Sequence, residues 1–224
     1  MVLNRASRKE AERRFAALHK PVTIHVFTHR FEDAACRETR QVAEELAETS
    51  NRLSVEINEA TSAGDLLRKY RIDSVPALVV TGKDMPELRA YGVPLAYGFD
   101  AFLDAILTVA SPMEVEDALA EKLSVPRSAA AAADGVVHAG VHVDLVASRR
   151  DPAVAEAAVA LWRLAAAERA VVGSVRLVPA LRIAEDCAPW VVAAGSGAFP
   201  AVLVGGKRVL SWPFTEMDLA NAVM

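Results

Sequence analysis

Cysteine is almost missing from this chain: its 224 residues include two, Cys36 and Cys187. Thiols this few and this far apart give no disulfide framework of the kind that staples small secreted domains. An excess of positive charge is lacking too. The formal net charge is −4 and the pI about 5.8, which leaves no basic footprint for nucleic acid. No apolar core follows Met1, so no secretory signal is expected, and cytoplasm is the expected location. One uncharged run, Cys187–Gly206, is long enough to cross a bilayer. It holds Pro189, Pro200 and four glycines and reads instead as a loop followed by a buried strand, so no membrane span is expected.

What the chain does have is apolar residues, at 53%, and an internal repeat. Pro76–Lys83 reads PALVVTGK and Pro200–Lys207 reads PAVLVGGK. Upstream, Thr23–Ala47 has its counterpart in Val141–Ala165: an apolar strand, a polar turn, an Asp and a helix. A chain of this length suits one large domain or two of about 100 residues, and the repeat favours two.

Periodicity and turn signals place the elements. A leading helix covers Ser7–Leu18, with Phe15 and Leu18 inward. Val22–Thr28 alternates as a strand. Asp33 is a good N-cap for a helix to about Glu48, and Asp151-Pro152 caps the matching helix, Pro152–Ala167. Further strands are Arg52–Ile57, Val75–Thr81 and Leu88–Tyr91, with helices Ala63–Tyr70 and Phe99–Val109. The second half repeats this with strands Val141–Val146 and Val171–Val178, a loose segment Arg182–Ala194, the hairpin Pro200–Val204 with Arg208–Ser211, and a helix Glu216–Val223. Glu114–Leu123 reads as helical, and Pro126–Gly135 as a tether.

This order, with a proline opening the third strand of each half, resembles the thioredoxin fold. More closely, over essentially its full length, the chain is similar to the tandem-thioredoxin protein disulfide oxidoreductases, or glutaredoxin-like domain proteins. Leu53–Asn58, Leu67–Pro76, Tyr91–Leu95 and Phe99–Leu103 carry the resemblance. It implies an α/β protein of two tandem thioredoxin-like folds, each a mixed sheet flanked by helices. Residues 1–125 are then the first unit with its N-terminal helix, 126–135 the linker and 136–224 the second unit.

The resemblance also implies where chemistry would lie. The family exchanges disulfides at Cys-x-x-Cys between the first strand and helix, facing a cis-proline; Val75-Pro76 and Phe199-Pro200 stand at that proline position. The first Cys attacks as a thiolate at a helix N-terminus, and the second resolves the mixed disulfide. Here both attacking positions are Asp33 and Asp151. Cys36 keeps the resolving position in the first unit, and Val154 replaces it in the second. A carboxylate forms no mixed disulfide, so a dithiol cycle is excluded with these residues and the active sites are degenerate. Cys36 is the one candidate catalytic residue; the favoured reading of it is a small buried apolar residue. Asp33, Val75, Pro76, Asp151, Phe199 and Pro200 are the candidate binding groove.

The remaining features read as structural. His25/His29 and His138/His142 are spaced for one strand face. They lack the third and fourth ligands of a zinc site, so they read as strand-edge or surface residues. Trp190 and Trp212 flank the second hairpin, as packing residues or as an aromatic wall. A Cys36–Cys187 bridge would need the two units to bring distant loops together. No cofactor or metal is expected. The favoured function is non-catalytic binding of a protein or extended peptide, as in assembly or chaperone work. The alternatives are thiol–disulfide exchange through Cys36 alone and a structural subunit of a larger complex; a homo-oligomer is compatible with each.

Overall fold

Helix α1 spans Arg5–Phe15 and begins where the Asn4 side chain accepts the Ser7 amide at 2.9 Å, an N-cap that satisfies one orphan donor. It turns Ala11 and Phe15 inward. The computed structural model of the chain describes residues 1–29, 33–111, 115–124, 140–172, 177–186, 194 and 199–223. Strand β1 (Val22–Thr28), helix α2 (Ala34–Ala47), strand β2 (Leu53–Glu59) and helix α3 (Gly64–Tyr70) follow. The hairpin β3 (Ala77–Gly82) and β4 (Leu88–Tyr91) and helix α4 (Tyr97–Ala110) complete the first unit. Helix α5 (Asp117–Ser124) leads to β5 (Val141–Ala147), α6 (Ala153–Val172), β6 (Leu177–Ile183), the hairpin β7 (Ala201–Val204) and β8 (Lys207–Ser211), and α7 (Glu216–Val223). The tether at 126–135 lies outside the described residues.

The strand order is β2-β1-β3-β4-β6-β5-β7-β8. Each half is the same four-stranded mixed sheet: parallel β1 with β2 and β5 with β6, then antiparallel pairs to the hairpin. The halves join edge to edge, with β4 parallel to β6 and Tyr91 opposite Arg182. Each unit thus covers one open edge of the other, a standard way to remove an exposed strand edge.

The main core lies on one face of this sheet and runs through both units. Ile24, Val26, Leu78, Leu145 and Leu181 pack there under α2, α4 and α6. Helix α2 buries Cys36, Thr39, Val42, Ala43 and Leu46, the three- and four-residue spacing of an amphipathic helix. Helices α4 and α6 meet across the units, where the buried Trp162 indole donates to the Ala101 carbonyl at 3.1 Å. On the opposite face Phe27, Tyr70, Val79 and Tyr91 cluster under α3, and Val146, Ala194, Ala201 and Leu203 form a smaller group in the second unit.

One expected element is misplaced by sequence. Val171 belongs to α6, which continues to Val172, and the strand expected over Val171–Val178 is β6 at Leu177–Ile183. The β-branched run Val171-Val172 suggests a strand, but tertiary packing overrides propensity and the Glu168 carboxylate near the helix end accepts the Leu177 amide at 2.8 Å. Pro179 argues against a central strand at Leu177–Ile183. It is tolerated because β4 pairs with β6 only from Ala180 onward. Arg182 and Ile183, expected in a loose segment, are strand residues.

Candidate functional site

The first candidate site forms where β1 ends. Register pairs Phe27 with Ala77, so Pro76 falls opposite Thr28, at the end of β1. Asp33 is the N-cap of α2, and its carboxylate accepts the Cys36 amide at 2.8 Å. That hydrogen bond, with His29 and Arg37 nearby, holds the Asp33 carboxyl below the usual carboxylate range. Asp33 is exposed, whereas Cys36 is wholly buried, packed into the core on the inner face of α2. A buried thiol is poorly placed to attack a substrate.

The second site repeats the geometry. Val146 pairs with Ala201, which sets Pro200 beside the end of β5. Asp151 accepts the Ala153 amide at 2.9 Å, and Val154, at the position matching Cys36, is fully buried. Val75-Pro76 and Phe199-Pro200 are both cis; Trp212-Pro213, which the repeat does not single out, is cis as well. The Pro76 carbonyl accepts the Gly92 amide at 3.1 Å and the Pro200 carbonyl accepts the Trp212 amide at 3.0 Å. Among the described residues, Val75 and Phe199 enter no backbone hydrogen bond outside the helices and strands. Their side chains are half-buried and rest on the two small apolar clusters. Each therefore packs partly into a core, more than the sequence alone indicates.

The Val75 loop is anchored from the second unit. The fully buried Arg182 donates to Asp73 through Nη2 at 2.7 Å and Nη1 at 3.1 Å, and to Asp144 through Nε at 2.6 Å. Its guanidinium lies 4.1 Å from the Tyr91 ring centre. Burial works to raise Asp73, but Arg182 wins and keeps its carboxyl lowered. Burial pushes Asp144 up and the Tyr91 hydroxyl to about 12. Sequence reading missed this cluster. Its signal was there: Asp144 in VHVDLVA and Arg182 in LVPALRI are charged residues inside otherwise apolar strands.

A second bridge braces the other loop. The Asp186 carboxylate accepts the Val93 amide at 2.8 Å and pairs with Arg149, whose carbonyl accepts the Tyr97 amide at 3.1 Å. Gly92 permits the approach: its φ is +86°, and a Cβ there would lie 2.7 Å from Asp186 Oδ2.

The histidines divide. His29 is exposed, but His25 is 7% exposed, a correction to its reading as a surface residue. The alternation that turns Ile24 and Val26 to the main core turns His25 to the opposite face, where α3 covers it with Tyr70, ring centres 4.7 Å apart. No group of three or more metal-ligating side chains occurs among the described residues. Likewise no helix among them is long and apolar enough to cross a membrane. Trp212 is half-buried and meets Phe214 edge-on at 5.2 Å. Trp190, Cys187 and His138 lie outside the described residues, so the aromatic wall and the Cys36–Cys187 bridge do too. A cleft of about 460 Å³ runs beside α2, lined by Val2, Ala34, Arg37 and Gln41 among others; its lining does not reach Val75 or Pro76.

No protein-family model and no curated protein matches the chain. Solved structures do. The N-terminal domain of alkylhydroperoxide reductase AhpF from Enterococcus faecalis superposes with a TM-score of 0.80 at 15% identity, over 99% of this chain and 100% of that one. A protein disulfide oxidoreductase from Aeropyrum pernix gives 0.81 at 19% identity, over 98% of this chain and 91% of that one. Matches of this extent at this identity speak for the fold, and the repeated strand order, the cis-prolines and these superpositions agree on it: the chain is built as two tandem thioredoxin folds.

Proposed function

We propose that this protein binds an extended protein segment at its two cis-proline grooves and carries out no dithiol exchange. One observation carries the reading: each half keeps an Asp at the start of the helix after its first strand and a cis-proline beside the end of that strand, and among the described residues the residue before that proline has no backbone partner outside the helices and strands. An extended chain can add there as a strand, its backbone amides supplying affinity and its side chains selectivity. The thiol position argues the same way. Asp33 and Asp151 stand where the resembled family has its attacking Cys. Cys36 is buried, with its amide committed to Asp33. Similarity to a protein disulfide oxidoreductase supports a surface for polypeptides, while Asp33 and Asp151 argue against that protein's named chemistry here.

The test uses a panel of extended peptides titrated into isotope-labelled protein. Binding should perturb the Val75 and Phe199 amides. A peptide N-methylated along its backbone should lose that binding, because strand addition needs its N–H groups. If the methylated twin bound equally, or perturbations appeared only on a distant face, the groove reading would give way to the structural-subunit alternative.

A further inference from the structure

His25 sits within a chain of polar contacts that fastens α3 to the sheet. Lys69 Nζ donates to Tyr70 Oη at 3.1 Å, and Tyr70 Oη lies 3.1 Å from His25 Nε2. An ammonium only donates, so the Tyr70 oxygen accepts from Lys69 and its own proton points to Nε2. Thr81 Oγ1 is 3.1 Å from the same nitrogen, closer than its 3.4 Å to the Thr23 carbonyl, so its proton too can go to Nε2 and turn to that carbonyl when Nε2 is protonated. On the other side of the ring, Nδ1 lies 2.9 Å from Glu56 Oε2, off the ring N–H axis. This arrangement fits an imidazole with Nε2 unprotonated.

A proton on Nε2 reverses the contact. The ring nitrogen then donates, the Tyr70 oxygen faces two donors, and the Tyr70 proton loses its acceptor. Tyr70 is 4% exposed, so water does not readily replace that acceptor, and a buried unmatched hydroxyl is costly. The surrounding charges divide: Glu56 on β2 and Glu87 ahead of β4 favour the cation, while Lys69 on α3 opposes it. Burial outweighs them and holds His25 below the ordinary histidine value.

We propose that His25 is a pH-sensitive latch: unprotonated, it pins Tyr70 and the end of α3; protonated, it releases them and the loop Arg71–Val75 that follows. That loop carries Asp73, the partner of Arg182, and leads into Val75-Pro76. A histidine lowered by folding binds its proton more readily in the unfolded chain. Stability therefore falls as pH drops below about 6.5 and levels off below the folded value.

Thermal unfolding from about pH 8 to about pH 5 tests this on the full chain and on His25→Gln and Tyr70→Phe. The wild type should lose several degrees more than His25→Gln over that window, and Tyr70→Phe should show a smaller loss than wild type. Parallel curves for wild type and His25→Gln would overturn the latch. A second readout needs no variant. Amide-exchange protection at Leu67–Tyr70, relative to Leu161–Trp162 in α6, should fall with acidification by up to about tenfold per pH unit between about 6.5 and the lowered folded value, and level off below it. Equal protection ratios across the window would also overturn it. Neither readout involves a partner, so the latch and the binding reading fail separately.

Discussion

Asp33 does two things at one helix end. Its carboxylate closes the first turn of α2 by accepting the Cys36 amide, and the helix N-terminus favours its negative charge. A cap of this kind is worth about 1 kcal/mol, so Asp33→Ala should lower the unfolding free energy by about that much, seen as a lower urea midpoint at an unchanged slope. No shift in the midpoint would mean that water replaces the cap. This cap was legible, because an Asp just before an amphipathic run is a strong start signal. The burial of Cys36 was legible too, since it shares the helical period of Thr39, Val42, Ala43 and Leu46. The burial of His25 was not. Alternation assigns it a face but does not say that α3 will lie over that face.

Among the elements, β6 shows where sequence reasoning fails and why. Its position depends on a long-range partner, β4, and its proline is tolerated through the register of that pairing, neither of which a local pattern contains. The hairpins and both Asp-led helices emerged because turn and cap residues act locally. The same long-range pairing places Arg182 beside Asp73 and Asp144. Removing one partner of a buried ion cluster costs about 3–5 kcal/mol. Arg182→Met should therefore destabilise the protein by that order in chemical denaturation, because two carboxylates lose their counter-charge. A cost below about 1 kcal/mol would place the cluster among screened surface pairs. The Asp73 carboxyl is lowered by folding. Its contribution is present above the unfolded value of about 3.9 and is lost as pH falls through the folded value. Arg182→Met should remove that part of the acid dependence.

At the scale of the whole molecule, two thioredoxin units share one eight-stranded sheet and one continuous core. The repeat in sequence revealed the two units. Their fusion through β4 and β6 was not legible, since the internal repeat says nothing about how its copies meet. The joined sheet holds the two cis-prolines Pro76 and Pro200 in one frame, and Cys36 lies buried in the first unit. The function proposed for this frame is binding without dithiol exchange. Insulin reduction by dithiothreitol, followed as turbidity, tests that claim most directly. Without exchange, the rate equals the uncatalysed control for wild type and for Cys36→Ser alike. A clear acceleration by wild type that disappears in Cys36→Ser would contradict it and make the protein an oxidoreductase acting through a single thiol.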